Sequence, residues 1–199
     1  MSKAHRDYFN ALASEWSSRM PDDSHFRELL IQFGVTEGDR VLDTGAGTGR
    51  MTKHLIDLVG IDGQVVAQDF ALKMVQEGQA NLIHSSVYWV CDDLCSMGLQ
   101  SNYFNKVLCF SVFPHLQDPG LVLNEIYRVL QPGGKLLILH VSGRDQLNAF
   151  HASLEGVVQS DRLPSSEDIL AYFRQAEIDP VTIVDQDNLY WAEGRKPFR

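Results

Sequence analysis

Cysteine is scarce in this 199-residue chain, and long apolar runs are missing. The three cysteines, Cys91, Cys95 and Cys109, form no CxxC pair, and we interpret them as buried or partly buried thiols. Such usage is typical of a reducing compartment and does not fit a cysteine zinc framework. No stretch reaches the roughly 18 apolar residues of a membrane span, and the amino-terminal residues include no apolar segment. These absences predict a soluble, cytoplasmic protein with no membrane span.

Positive charge is also in short supply. The chain has 17 Lys and Arg residues against 26 Asp and Glu residues, which gives a net charge of −9. A protein without a basic field has little to attract a phosphate backbone, so nucleic acid is not an expected partner. The apolar content of 44% is sufficient for one core, and the length fits a single domain.

From residue 40 onward, short apolar runs alternate with amphipathic helical patterns, which is typical of a parallel sheet covered by helices. Two helical patterns precede the first strand and are separated by an interruption at residues 20–24. We predict an α/β protein, namely a Rossmann-like three-layer α/β/α sandwich. Its seven-stranded sheet is mostly parallel and ends in an antiparallel C-terminal edge hairpin. The predicted strands cover 40–44, 64–68, 87–91, 106–112, 135–140, 181–184 and 189–192. After the first strand, the predicted helices cover 50–59, 119–130 and 146–152. Two further helices are predicted to begin at residue 72 and at residue 165 or 166.

The most informative segment is 40–50, a buried strand that runs through a glycine-rich turn into a helix. Gly45, Gly47 and Gly49 allow a sharp turn and a close approach of the backbone to a ligand. Unpaired N–H groups at the start of the helix favour an anion. Because open α/β sheets bind ligands at the carboxyl ends of their strands, we expect a binding site here.

The glycine spacing is GxGxG, with Asp43 two residues before the first glycine, and it differs from the GxGxxG dinucleotide fingerprint. It resembles motif I of the class I S-adenosylmethionine-dependent methyltransferase family, of the small-molecule, methyltransferase-11-like type. Segments 69–74, 91–94 and 128–136 resemble later motifs of that family in the same order, and the similarity covers about residues 35–140. At four positions the sequence departs from the residue types that are more common in that family, namely Thr44, Ala71, Asn105 and Glu177. None of these departures removes a principal cofactor contact, so they weaken the subfamily assignment more than the expectation of cofactor binding.

The resemblance implies that the chain binds S-adenosylmethionine and releases S-adenosylhomocysteine. Asp69 follows the second strand, where two carboxylate oxygens can accept from both ribose hydroxyls. Asp93 would accept from the adenine amine, with Phe70 and Leu94 on either side of the base. Two alternatives stay open, because Asp92 can exchange roles with Asp93 and Phe70 fits a core residue equally well. The candidate cofactor residues are Asp43, Gly45, Ala46, Gly47, Gly49, Asp69, Phe70, Asp93, Leu94 and Cys109.

The resemblance divides the predicted single domain, residues 1–199, into four parts. Residues 1–34 form an N-terminal helical cap, and 35–140 form the cofactor-binding core. Residues 141–164 form a substrate-side segment, which is the least regular part of the chain. Residues 165–199 form a closing helix and hairpin. Because loops beyond a scaffold sheet usually carry the specific chemistry, we expect acceptor contacts from 141–164.

Three histidines follow the fourth and fifth predicted strands or lie just beyond them, namely His115, His140 and His151. Each is a candidate catalytic residue, because a general base suits methylation of an oxygen or nitrogen that must lose a proton. Each also fits a structural role. Their spacing matches no ligand motif, so no metal site is predicted.

We therefore predict an enzyme, an S-adenosylmethionine-dependent methyltransferase that acts by direct in-line displacement. The small cap favours a compact small-molecule acceptor, and residues 109–112 lack the signature of amino-type base methylases. One alternative is a non-catalytic S-adenosylmethionine-binding module or partner subunit. The other is an NAD-dependent oxidoreductase, which would share Asp69 but would need GxGxxG. Both a monomer and a homodimer fit the sequence.

Overall fold

A computed structural model describes residues 1–16 and 25–198. The interruption indicated by the sequence at 20–24 lies outside these residues, as does position 199. The strands are β1 (Arg40–Thr44), β2 (Gln64–Asp69), β3 (Val87–Cys91), β4 (Phe104–Phe110), β5 (Leu130–His140), β6 (Asp179–Gln186) and β7 (Leu189–Arg195). They form one seven-stranded sheet with the order β3-β2-β1-β4-β5-β7-β6.

The first five strands are parallel, and β7 runs antiparallel between β5 and β6. The predicted fold class, with its antiparallel edge hairpin, is therefore confirmed. Because β2 and β4 lie on opposite sides of β1, the strand order reverses there, and a crevice opens at the carboxyl ends of these strands.

Helices cover both faces of the sheet, because successive strand residues alternate between two cores. The helices are α1 (Lys3–Trp16), α2 (Phe26–Phe33), α3 (Thr52–Val59), α4 (Leu72–Asn81), α5 (Pro119–Val129), α6 (Arg144–Ser153) and α7 (Ser166–Gln175). Val41 packs with α2 and α3 on one face, and Leu42 packs with α5 and α7 on the other. None of the helices in these described ranges is long and apolar enough to cross a membrane.

Several boundaries differ from the prediction for local reasons. β4 ends at Phe110, because Ser111 adopts a φ of 53° and a short 3₁₀ helix follows at Phe113–His115. β5 begins at Leu130, which pairs with Phe104 across an irregularity in the register. Ser165 is the N-cap of α7 within a reciprocal capping box, which decides between the two predicted caps.

Helix α1 packs on α4, and this contact holds it near the carboxyl ends of the parallel strands. Phe9 and Ala13 form a small cluster with Met74, and the Lys73 backbone N–H donates to Asn10 Oδ1 at 2.9 Å. The buried face of α1 also includes His5. The N-terminal helix thereby brings an imidazole toward the end of the sheet where the glycine turn lies.

Candidate functional site

The glycine turn folds back onto the end of β2. The Ala46 N–H donates to the Gln68 carbonyl oxygen at 2.9 Å, and the Gln68 side chain accepts from Gly45 N–H at 3.3 Å. Its amide nitrogen donates to the Asp92 carbonyl oxygen at 2.6 Å. Gln68 thus joins the turns that follow β1 and β3, a role that its position before Asp69 did not reveal.

Asp69 is buried against this turn. Its Oδ2 accepts from Gly47 N–H at 2.9 Å, and its Oδ1 accepts from Ala71 N–H at 2.8 Å. Burial raises the pKa of Asp69 to about 6, although these backbone donors oppose the rise. Each carboxylate oxygen retains further acceptor capacity, so two additional hydroxyl donors fit its chemistry.

Asp43 and Cys109 lie beneath the turn and contribute to its floor. Asp43 Oδ2 accepts from the Thr52 hydroxyl at 2.6 Å, which ties β1 to the start of α3. Burial raises the pKa of Asp43 to about 7. The Thr44 hydroxyl lies 3.0 Å from the Cys109 sulfur, and burial raises the pKa of this thiol to about 12.

A cavity of about 220 Å³ opens beside the turn and brings the candidate residues together. Gly45, Ala46, Gly47, Asp69 and Phe70 line one part of it. The lining also includes all three candidate histidines, His115, His140 and His151. Aromatic side chains make up much of the remaining lining: Phe9, Trp16, Phe110 and Phe150.

A second cavity, of about 330 Å³, lies on the other side of Phe70 and is lined by Asp92 and Asp93. The Asp92 carboxylate accepts from the backbone N–H groups of Asp93 and Gly98 and therefore fixes the loop after β3. The Asp93 side chain remains 53% exposed. Leu94 is buried in the core below.

The cysteines lie at different depths. Cys109 is buried and Cys95 is partly buried, as interpreted from the sequence. Cys91 is exposed, which corrects that interpretation, because β3 is an edge strand and Cys91 lines the second cavity.

His115 belongs to a cluster whose other members sequence reasoning missed. His115 Nδ1 lies 2.6 Å from Asp161 Oδ2, and His5 Nε2 lies 3.0 Å from Asp161 Oδ1. Burial raises the pKa of Asp161, but the hydrogen bonds to His115 and His5 outweigh it and hold the pKa below its usual range. His5 shares the buried face of α1 with Phe9 and Ala13, a spacing that could have identified it. Asp161 follows the short 3₁₀ helix Val157–Ser160 and carries no such pattern.

His151 and His140 differ in their hydrogen bonds. His151 Nδ1 lies 3.2 Å from the Asp161 carbonyl oxygen, which can only accept, so Nδ1 bears the proton and Nε2 carries a lone pair. Burial and the neighbouring His115 lower the pKa of His151. His140 is fully buried, its Nε2 has no hydrogen-bond partner, and burial lowers its pKa to about 3.

Comparisons with known proteins agree with this architecture. Residues 42–138 match a family model described as a methyltransferase domain. A ubiquinone/menaquinone biosynthesis C-methyltransferase from Teredinibacter turnerae is 34% identical over 113 residues, which are 55% of this chain and 45% of that protein. The corresponding protein of Francisella philomiragia is 29% identical over 120 residues, 58% of this chain and 48% of its own length. These matches support the class I S-adenosylmethionine-dependent methyltransferase family for residues 42–138, which are just under half of the chain.

Solved structures of such methyltransferases share the fold over nearly the whole chain. One comes from a complex between the Haloferax volcanii Trm112 methyltransferase activator and a methyltransferase. It matches with a TM-score of 0.81 and 20% identity, and the match covers 95% of this chain and 97% of that chain. Another is an Aquifex aeolicus S-adenosylmethionine-dependent methyltransferase, with a TM-score of 0.73, 21% identity and coverage of 96% and 97%.

The sequence matches cover only part of the site. The match to each of these curated C-methyltransferases spans about half of that relative's length. Within the methyltransferase match at 42–138 lie the glycine turn, Asp69, Asp93 and His115. The other polar groups around the cavity lie outside it: His5, His140, His151 and Asp161.

Proposed function

We propose that the chain is an enzyme that transfers the methyl group of S-adenosylmethionine to a small-molecule acceptor. The observation that carries this proposal is one cavity lined both by the glycine turn with Asp69 and by three histidines. A cofactor-binding surface and a set of proton acceptors then face the same space. We also propose that the four parts expected from the sequence act as one domain.

The residues around the turn fit the cofactor. Asp69 is buried and can accept two more hydrogen bonds, which suits the ribose hydroxyls. Asp93, on the second cavity, would accept from the adenine amine, and Phe70, which lines both cavities, would stack on the base. Gly45, Ala46, Gly47 and Gly49 would hold the methionine end, while Asp43, Leu94 and Cys109 would support the site from below. When bound, S-adenosylmethionine supplies a methyl group on a positively charged sulfur.

The acceptor side of the cavity favours a small planar molecule with an ionisable hydroxyl. Phe9, Trp16 and Phe110 offer aromatic surface, which suits a flat ring. The named relatives are C-methyltransferases of ubiquinone and menaquinone biosynthesis, and their products are also built on rings. A hydroxylated aromatic compound agrees with both observations.

His151 would accept the acceptor's proton. Its tautomer places a lone pair on Nε2, and its lowered pKa keeps it neutral at pH 7. With the proton on His151, the acceptor would keep an electron pair for the new bond to the methyl carbon, and the pair of the broken carbon–sulfur bond would remain on sulfur in S-adenosylhomocysteine.

His140 was a candidate general base, but its surroundings suit a different role. With a pKa of about 3 it stays neutral and is a weak proton acceptor, whereas its unpartnered Nε2 can hydrogen-bond an acceptor hydroxyl. Holding the nucleophile in line is a large part of what such a reaction needs, and it can supply on the order of 7 to 11 kcal/mol.

The test is production of S-adenosylhomocysteine from S-adenosylmethionine with a panel of hydroxylated benzenes and naphthalenes. We expect acceptor-dependent turnover that is lost in Asp69→Ala and retained in Asp57→Ala, which changes an exposed aspartate on α3. Cofactor binding without turnover on any acceptor would favour the non-catalytic module. Thermal stabilisation by NADH alone would instead favour the oxidoreductase.

A further inference from the structure

The strongest feature that methyl transfer leaves unexplained is the cluster of His5, His115 and Asp161. Asp161 lies 156 residues from His5 and 46 residues from His115 in the chain, and both imidazoles point a ring nitrogen at its carboxylate. All three side chains are largely buried. Within residues 1–16 and 25–198 this is the one set of three or more His, Cys, Asp or Glu side chains that could hold a metal ion together.

We propose that His5 Nε2, His115 Nδ1 and the Asp161 carboxylate bind a divalent transition metal ion of the zinc class. The proposal departs from the expectation of no metal, which considered His115 only with His140 and His151. It concerns a second site on the cavity wall and goes beyond the proposed methyl transfer.

The donor set selects the class of ion. Two imidazole nitrogens and one carboxylate suit Zn²⁺, Fe²⁺, Co²⁺ or Ni²⁺, whereas Mg²⁺ and Ca²⁺ prefer oxygen donors throughout. A single carboxylate leaves the bound dication with a net positive charge.

The geometry needs only a small adjustment. The three donor atoms lie within 4.8 Å of one another, and two ligands of a tetrahedral zinc ion lie about 3.4 Å apart. The present contacts of 2.6 and 3.0 Å are hydrogen bonds between the same atoms. To admit the ion, the carboxylate would separate from each imidazole by less than about 1 Å, and any donor atoms near the 4.8 Å limit would move closer together.

The surroundings of the cluster resemble those of metal sites in two respects. The other ring nitrogen of His5, Nδ1, lies 2.7 Å from the Ser2 hydroxyl, and ligating histidines are usually oriented by such a second partner. His115 also lines the cavity, so one side of the site borders the space for the acceptor. Three protein ligands with an open position are typical of catalytic rather than structural zinc sites.

The role that follows is to bind an acceptor oxygen next to His151. The rings of His115 and His151 have centroids 5.2 Å apart. A metal-bound hydroxyl loses its proton more readily, and the proton would pass to the imidazole of His151. This role rests on the proposed function, but metal binding itself does not.

The experiment uses the full chain, freed of metal with a chelator and then titrated with Co²⁺ and with Zn²⁺ in the absence of cofactor and acceptor. We expect one ion per chain and a visible absorption band for Co²⁺ typical of four or five ligands. His5→Gln, His115→Gln and Asp161→Asn should each weaken binding by at least about tenfold. The matched control His84→Gln changes an exposed histidine and should leave the affinity unchanged.

Thermal unfolding in chelator and in Zn²⁺ completes the test. Wild type should gain stability with Zn²⁺, and the three ligand variants should lose that gain even where they fold well in chelator. His5→Gln lies on α1, outside the sheet, so it gives a result if Asp161→Asn folds poorly.

Absence of a bound ion in wild type, or equal binding by wild type and all three variants, would overturn the proposal. The cluster would then be a hydrogen-bonded triad that fastens α1. Since neither assay involves methyl transfer, such a failure would leave the proposed function standing.

Discussion

The Asp69 carboxylate accepts a hydrogen bond from the Gly47 N–H at 2.9 Å, so the acid at the end of β2 holds the glycine turn after β1 in place. The same carboxylate is the proposed partner of the cofactor ribose. Its protonation state therefore affects both the shape of the turn and the affinity for the ligand.

A pH dependence of cofactor binding follows from this arrangement. Burial raises the pKa of Asp69 to about 6, so the carboxylate is charged above that pH and becomes protonated below it. Ribose hydroxyls donate to the charged form, so affinity for S-adenosylhomocysteine should be constant from pH 7 to 8. It should then weaken by up to about tenfold per pH unit below 6. Calorimetric dissociation constants between pH 5 and 8 measure this, and a flat profile across that range would contradict the assignment.

Asp43 provides a prediction about stability. Its pKa is 3.8 in an unfolded chain and is raised by burial to about 7 in the folded protein. Between these values the folded state holds the extra proton, so the free energy of unfolding should fall as pH rises through that window. Asp43→Asn removes this cost and retains an oxygen for the Thr52 hydroxyl. The variant should gain up to about 4 kcal/mol over wild type at pH 8 and almost nothing at pH 4.

Denaturant unfolding at pH 4 and pH 8 measures the difference. The matched control is Asp57→Asn, which changes an exposed residue of α3 and should have little effect at either pH. An equal gain for Asp43→Asn at both pH values would show that charge burial is not the cause.

Two costs of replacing a glycine in the turn can be measured separately, namely the cost of the left-handed backbone conformation and the cost of the close packing around it. Gly45 has a φ of 64°, and a Cβ there would lie 2.4 Å from Val112 Cγ2. Gly34 has a φ of 87° but has no atom within 4 Å of such a Cβ. Gly34→Ala should therefore cost about 1–2 kcal/mol for the left-handed conformation alone. Gly45→Ala should cost a further 1–3 kcal/mol, roughly, because Val112 must move. Equal losses of stability in the two variants would indicate that the turn has more room than the structure shows.

Many of the residues that line the cavity could be predicted from the sequence because the proposed cofactor half is local. The glycine turn and Asp69 belong to short motifs whose spacing reflects one strand-to-helix connection each. The acceptor half depends on tertiary packing. His5 and Asp161 meet only because α1 packs on α4 and the chain after α6 returns to the same place, and no local pattern encodes that encounter.

The boundaries of the strands illustrate the same limit. The end of β4 was expected at residue 112, but Ser111 takes a left-handed conformation that hydrophobic patterning cannot reveal. The consequence is functional, since the short helix that follows places His115 on the cavity wall.

His151 is the most direct test of proton transfer. His151→Gln should lower kcat by at least about 100-fold, because a general base typically contributes 10² to 10⁴ in rate. Affinity for S-adenosylhomocysteine should not change. Steady-state kinetics with the best acceptor, together with calorimetry, separate the two effects, and His84→Gln serves as the control. Full turnover in His151→Gln would remove His151 from the mechanism.

Calorimetric titration of the full chain with S-adenosylhomocysteine at pH 7.5, in wild type and in Asp69→Ala, tests directly whether this cavity is the cofactor site. We predict one ligand per chain in wild type. Two hydrogen bonds to a charged acceptor contribute roughly 1.5–3 kcal/mol each, so Asp69→Ala should weaken binding by at least about 100-fold. Asp57→Ala should bind as wild type does. Absence of binding by folded wild type, or equal affinity in wild type and Asp69→Ala, would show that this cavity is not the cofactor site.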